Sequence, residues 1–359
     1  MCVRSMRTIE WDSRHRNVRM IDQKALPGRL TYVTCLNYHQ IIQAIQTMTI
    51  RGAPAIGIAA AFGLSLEAAA WKGHDLQAFR SHLVKVADEI QATRPTAVNM
   101  AWAMEHLKAI INEEFAGVDE LRQRLIARVD EMAEEDVAIN HRMAEFGASL
   151  VHDGDIIIHH CNTGSLATVD WGTALGAIRL AHEQGKKVHV LVDETRPRLQ
   201  GSRLTAWELE QYGIPYDIIT DNAAGYFLST HKAQKVMFGA DRIARNGDVA
   251  NKVGSYMLAL AAKDNNIPVY SVAPSSSIDL HIACGKQIPI EERDPQEVLG
   301  IEIDGKRVSP KSATALNPAF DITPFRLITA FVTEKGIVKP PFSKNLSITL
   351  KKPFKGVIL

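Results

Sequence analysis

Cys161 and Asp241 are the side chains best placed to do chemistry, because each follows an apolar run that reads as a buried strand. Ile156-Ile157-Ile158-His159-His160 leads into Cys161-Asn162-Thr163-Gly164-Ser165, where small and polar residues can start a helix that Leu166 to Glu183 would supply. A thiol at a strand-to-helix junction lies on the edge where open α/β sheets bind ligands. A helix N-terminus there would also favour the thiolate. The same residue type also suits a small core cysteine. Val236-Met237-Phe238-Gly239-Ala240 ends in Asp241. An apolar setting would raise the pKa of that carboxyl group until it can donate a proton near neutrality. Alternatively, Asp241 caps a turn or pairs with Arg242.

Cations and open amides recur around these two. In Arg51-Gly52-Ala53-Pro54 an arginine precedes a glycine, and the proline is preset for a first helical turn. Such a helix start suits a phosphate, or is a simple cap beside a surface arginine. Arg94 stands before Pro95, which keeps it out of helical dihedrals, and Thr96 can cap the next helix. Gln200, in the loop Glu194 to Arg203, can hydrogen-bond a sugar hydroxyl, although three arginines in that loop also fit an ion-pair cluster. Asn251 and Lys252 are read as the opening of a helix, where charge and free amides would favour phosphate or sugar hydroxyls.

These residues need elements to hold them. Residues 1 to about 35 alternate apolar and polar in Thr8–Trp11, Val18–Ile21 and Leu30–Val33, which predicts a small antiparallel sheet. Helices follow over Tyr38–Met48, over Ile58–Leu64 with Gly57 and Gly63 permitting close approach, up to about Ile111, and over Asp119–Leu150. The Glu134-Glu135-Asp136 run reads as a solvated face. The second half alternates strand-like runs at 155–159, 187–193, 216–220, 235–240 and 268–273 with helical ones at 205–212 and 252–263. That rhythm predicts an α/β protein with a doubly wound, Rossmann-like parallel sheet. Its strand ends would carry Cys161, Asp193-Glu194, Asp221-Asn222 and Asp241 along one edge. The expected division is an N-terminal domain of helices and a small sheet at 1–145, and a C-terminal catalytic domain at 146–359. A last apolar segment is read at Leu327–Thr333, and no element is assigned to the tail from Lys339.

Composition bounds the function. A 359-residue chain with formal net charge +1 offers no electrostatic case for nucleic acid or a membrane surface. Four unevenly spaced cysteines do not suggest a disulfide framework and fit a cytoplasmic protein. No apolar run reads as long enough to span a bilayer, and the first residues lack a signal core. Gly-x-Gly-x-x-Gly after a strand, a P-loop and Gly-x-Ser-x-Gly are all missing, which removes support for nicotinamide, nucleotide and serine-hydrolase chemistry. No cysteine or histidine spacing suits zinc, so no metal is expected.

Taken in order, Arg51–Gly57, Arg94–Asn99, His160–Gly164, Glu194–Pro197, Leu199–Gly201, Gly239–Arg242 and Ala250–Gly254 resemble the methylthioribose-1-phosphate isomerases of methionine salvage. The likeness runs from about Arg7 to about Pro341. It implies an N-terminal mixed domain, a Rossmann-like C-terminal domain and a homodimer. It implies a phosphorylated methylthiopentose as substrate, with no cofactor. By position it makes Asp241 the catalytic acid and Cys161 the second catalytic residue, with Arg51, Gly52, Ala53, Arg94, Gln200, Asn251 and Lys252 binding substrate. Two alternatives share these features. One is an isomerase of another C1-phosphorylated pentose, such as 5-deoxyribose 1-phosphate or ribose 1,5-bisphosphate. The other is a non-catalytic regulatory subunit of the eukaryotic initiation-factor guanine-nucleotide exchange complex, which has the same fold.

Overall fold

The structure, a computed structural model, describes residues 6–352 except Thr96. The chain forms two compact units. The first takes residues up to Arg142 together with Thr163–Gly176, and the second takes Met143–Asn162 and the chain from Ala177 onward.

In the first unit, β1 (Ile9–Asp12), β2 (Asn17–Ile21) and β3 (Tyr32–Cys35) form the expected antiparallel sheet. Helices α1 (Tyr38–Gln46), α2 (Ala53–Ala70), α3 (Leu76–Ala92), α4 (Val98–Ile111) and α5 (Val118–Ala148) follow, with α5 running on past Arg142. Asn37 and Asp75 cap α1 and α3 by accepting amide hydrogen bonds with their side chains. Thr96, expected to cap α4, lies outside the described residues. Helix α2 is central. Small residues let its neighbours come close: a Cβ on Gly57 would lie 3.0 Å from the Asn99 carbonyl oxygen, and one on Gly63 would press on Ile90 and Ile41. By length and composition alone α2 could cross a membrane, contrary to the sequence reading, but 72% of it is buried. Its apolarity serves a core, since a helix apolar on all sides needs neighbours all round. The acidic run on α5 is also only partly solvated. Glu134 and Glu135 are exposed and pair with Arg7 and Arg128. Half-buried Asp136 instead accepts the Val169 amide hydrogen at 2.7 Å, and burial pushes its pKa up to about 7.

The second unit carries β4 (Ile156–His159), β5 (His189–Asp193), β6 (Tyr216–Ile219), β7 (Lys235–Phe238), β8 (Arg242–Ala244), β9 (Val249–Lys252), β10 (Val269–Val272), β11 (Ile278–Asp279), the short hairpin β12 (Glu302–Ile303) and β13 (Lys306–Arg307), β14 (Phe320–Thr323), β15 (Ala330–Thr333) and β16 (Gly336–Val338). Its helices are α6 (Ala174–Glu183, starting in the first unit), α7 (Ala206–Tyr212), α8 (Ala224–Ser229), α9 (Ser255–Asp264), α10 (Gln296–Leu299) and α11 (Phe342–Leu350). The main sheet runs β16-β15-β10-β7-β4-β5-β6 and is parallel except for β16. The α/β, Rossmann-like reading therefore holds. All five predicted parallel strands are present, and the Leu327–Thr333 run contributes β15.

Three expectations need correction. The helix predicted from Leu166 is one 3₁₀ turn at Ser165–Ala167, and α6 starts only at Ala174. Trp171 and Gly172 turn left-handed, and the Thr173 amide donates to the Thr163 carbonyl, folding the segment into a closed loop. Asn251 and Lys252 lie on β9, within a second, four-stranded sheet ordered β11-β8-β9-β14. The tail also contains α11, because Phe342 and Leu346 bury against the second core, Phe342 edge-on to Phe331 at 4.7 Å.

Candidate functional site

The main sheet reverses its strand order between β4 and β7. From β4 the chain builds β5 and β6 outward on one side, then crosses to β7 and continues to β10 and β15. The carboxyl ends flanking such a reversal form the crevice where doubly wound sheets hold ligands. β4 and β7 pair in parallel with His159 opposite Met237, so Cys161 and Asp241 extend from neighbouring strands at that point. Asp193 ends β5 and Asp221 follows β6 on the same edge.

Cys161 is buried and adopts φ 70°, a left-handed conformation that costs a non-glycine residue about 1–3 kcal/mol. The surrounding chain enforces it. The Cys161 amide donates to the Thr195 hydroxyl at 2.9 Å, and the Thr205 hydroxyl donates to the Cys161 carbonyl at 2.8 Å. Thr195 passes the connection on by donating to the Asp193 carbonyl. The Thr195 and Arg196 amides both donate to the Asp221 carboxylate at 2.7 Å. Gly201 closes this loop, since any side chain there would overlap the Asp193 carbonyl. A π-helical turn at Gly201–Thr205 then leads into α7, and it begins just after buried Gln200. The Gln200 amide nitrogen lies 3.4 Å from the Cys161 sulfur, within hydrogen-bonding reach for sulfur, and Gln200 Oε1 is buried without a hydrogen-bond partner. Gln200 and Cys161 thus share one microenvironment. No helix start stands at Cys161, so the expected helix-dipole effect on its sulfur is not built there.

A different charge is. His160 is fully buried, with Nδ1 2.8 Å from Asp193 Oδ2 and Nε2 3.0 Å from the Val253 carbonyl oxygen. Burial alone would lower its pKa. The hydrogen bond and charge of Asp193 outweigh that, and His160 is pushed up to about 9. Burial lifts the Asp193 carboxyl as well, while its hydrogen bond to His160 and the imidazole charge pull it back down. The neighbouring His159 is pushed the other way by burial, to about 3, and is neutral. The sequence reading assigned His159 and His160 no role beyond ending the strand and missed this pair. The signal was the β4–β5 register: with His159 opposite Val192, His160 falls beside Asp193. His160, Asp193 and Asp221 bring ligand atoms within 4.8 Å of one another. The hydrogen bonds just described occupy both His160 nitrogens, one Asp193 oxygen and both Asp221 oxygens, so these groups already tie the strand ends together.

Asp241 is half-buried in the β7–β8 turn, and its amide donates to the Ala250 carbonyl at 2.9 Å, tying it to β9. On β9, buried Asn251 donates to the Ser255 hydroxyl at 2.8 Å. The Lys252 ammonium donates to the Ala319 carbonyl at 2.6 Å and sits 4.7 Å from the Phe320 ring centre. The amides expected to face a ligand at the following helix are already engaged. Asp321, on β14, accepts from the Gly254 and Tyr256 amides at the start of α9. Asn251 and Lys252 can contribute through their side chains, but not as a helix opening.

In the first unit, Arg51, Gly52 and Ala53 are contiguous at the start of α2. Gly52 has φ 97° and is the residue before the helix, with Pro54 in the first turn. A Cβ on it would lie 2.5 Å from the Ala167 carbonyl oxygen and 2.8 Å from its carbon. Only glycine fits, and the open end of α2 is held by the Ser165–Ala167 turn. Arg94 follows α3, with the Ala97 amide donating to its carbonyl just before α4 begins.

A profile described as the Initiation factor 2 subunit family matches residues 49–340. A Pelotomaculum thermopropionicum protein named methylthioribose-1-phosphate isomerase is 48% identical over 345 residues, which are 95% of this chain and 94% of the relative. The crystal structure of 5-methylthioribose 1-phosphate isomerase from Pyrococcus horikoshii matches with a TM-score of 0.87 and 41% identity, covering 96% of each chain. An A. fulgidus structure described as translation initiation factor eIF-2B, subunit delta, matches with a TM-score of 0.84 and 41% identity over 97% of this chain and 100% of that one. With four-fifths of its length inside the profile and near-complete alignment to such relatives, this chain belongs to the Initiation factor 2 subunit family.

Proposed function

We propose that this chain is an aldose–ketose isomerase converting 5-methylthioribose 1-phosphate to 5-methylthioribulose 1-phosphate. Relatives at 46–48% identity over nearly its full length carry the isomerase name. The observation that carries the reading is the placement of a thiol and a carboxyl group, Cys161 and Asp241, just past the ends of adjacent strands where the sheet order reverses.

The chemistry explains why two such groups are needed. Phosphate on the anomeric carbon prevents spontaneous ring opening to the aldehyde, so the ordinary enediol route is closed. The ring oxygen must be protonated, the ring C–O bond broken, and hydrogen moved from C2 to C1. Asp241 is assigned the protonation of the ring oxygen. Cys161, as thiolate, is assigned removal of the C2 proton and its return at C1. In the rival route hydride passes directly from C2 to C1 and Cys161 shapes the pocket. Gln200, Asn251 and Lys252 are assigned to substrate hydroxyls and phosphate, as are Arg51, Gly52, Ala53 and Arg94 at the helix starts of the first unit. Neither route calls for a redox cofactor, and a homodimer is the assembly we expect.

Turnover measured on 5-methylthioribose 1-phosphate, 5-deoxyribose 1-phosphate and ribose 1,5-bisphosphate tests the reading. Preference for the methylthio sugar supports it; preference for either of the others reassigns the substrate. The A. fulgidus likeness gives a second reading, a regulatory subunit without catalysis. Absence of turnover on all three sugars would favour that one.

A further inference from the structure

We propose that His160 is a positioning residue: an imidazolium charged around neutral pH, built between Asp193 and Val253, that holds positive charge beside the Cys161 turn. Its catalytic meaning rests on the isomerase reading above; the charge itself is a property of the fold.

The geometry calls for a proton on Nε2 and a second one between Nδ1 and Asp193. Nε2 faces a backbone carbonyl, which can only accept, and Nδ1 faces a carboxylate. A neutral ring would satisfy both only if Asp193 carried the proton, and a buried ion pair with a strong hydrogen bond opposes that. The site is shaped for the ring. Gly254, at φ 107°, lies against it, and a Cβ there would come 2.8 Å from the ring Cε1. The charge is fixed relative to the Cys161 backbone by chain and hydrogen bonds alike. Cys161 is the next residue, and its amide is linked through the Thr195 hydroxyl to the same Asp193 whose side chain holds the ring. The other charged groups around the pair are acidic: Asp221 and Glu194 beside Asp193, and Asp321 on β14, itself near Lys252. His159, the remaining titratable neighbour, is neutral.

Two consequences follow. Both ring protons point at internal acceptors, so His160 does not deliver a proton to substrate. Its effect is electrostatic: a cation next to Cys161 favours the thiolate that proton abstraction needs. The helix start that the sequence suggested for this task is replaced by an imidazolium.

The test has two arms, both read without substrate. In the wild-type protein, nitrogen NMR of ring-labelled histidine, assigned by difference against His160→Gln, should show both His160 nitrogens protonated at neutral pH. In His160→Gln and in Asp193→Asn, ultraviolet thiolate absorbance, taken as the difference from the matching Cys161→Ser background, should titrate about one pH unit or more higher than in wild type. Under the isomerase reading, the acidic limb of kcat/KM moves up by the same amount while KM changes little. A neutral His160 ring in the wild type overturns the inference whatever the variants do. An unmoved Cys161 titration in both variants overturns it too. Failed turnover with a charged ring and a shifted thiol would sink the isomerase reading and leave this one standing.

Discussion

Replacing Gly52 with alanine tests whether the start of α2 is as constrained as its geometry indicates. At φ 97° and ψ 134° the backbone sits where glycine alone is comfortable, which costs an alanine about 1–3 kcal/mol. The new Cβ would also be driven into the Ala167 peptide, 2.5 Å from its oxygen. Backbone cannot rotate away as a side chain tip can, and such overpacking costs about 1–3 kcal/mol more. A total of about 3 kcal/mol corresponds to a melting temperature lowered by roughly 6–12 °C in a unit of this size. Thermal unfolding followed by circular dichroism measures it. Gly117→Ala is the control, because a Cβ there meets nothing within 4 Å. If Gly52→Ala melts together with Gly117→Ala, the close approach of α2 to the Ser165–Ala167 turn is not a constraint and the reasoning fails.

Asp241→Asn should leave the melting curve intact and nearly abolish turnover; full activity would remove Asp241 as the acid. Cys161→Ser should lower kcat by several orders of magnitude if the sulfur is the base, since a serine hydroxyl is far less readily ionised. Turnover in deuterated water separates the two routes: substantial deuterium at C1 of the product supports proton transfer through Cys161, whereas its absence supports the hydride shift. Asp136 makes a pH prediction. Its folded pKa is raised to about 7 from 3.8, so its contribution to stability is full below the unfolded value and is lost as pH rises through about 7. Asp136→Asn should therefore gain stability relative to wild type by a few kcal/mol between pH 4 and pH 8. Parallel pH responses of the two melting temperatures would show that the carboxyl group is not held in this way.

The sequence was most readable where local pattern and tertiary need coincide. The runs ending at His159, Asp193, Phe238 and Val272 are apolar because parallel strands are covered on both faces, so the existence of the central strands was legible. So was the glycine at 52, whose neighbours Arg51 and Pro54 announce a helix start. The loop after Cys161 was not legible. Ser165, Leu166 and Ala167 can start a helix, but Thr168 to Thr173 extend one poorly, and the left-handed pair Trp171 and Gly172 together with bonding back to Thr163 ends it. The four-stranded sheet escaped for a different reason: its strands are two to four residues long, and β14 pairs with β9 across some seventy positions. Helix α11 is held by the burial of Phe342 and Leu346 rather than by its own caps. The His160–Asp193 pair could be found only once strand register was known, since nothing in either local sequence points to the other.

The carboxylate of Asp321 at the start of α9 also bears on selectivity. It is tethered to the amides it caps, so its effective concentration there is far above that of a free metabolite. Orthophosphate, nucleotides and other cellular anions would have to displace it to reach the Gly254 and Tyr256 amides. The most obvious anion trap in the second unit is thus pre-empted by the protein itself. At this helix the sugar phosphate of the proposed function would meet side chains such as Lys252, whose reach and direction are set individually, rather than the capped amides. A fold whose strand ends would otherwise attract phosphates indiscriminately is, at this helix, insulated against them.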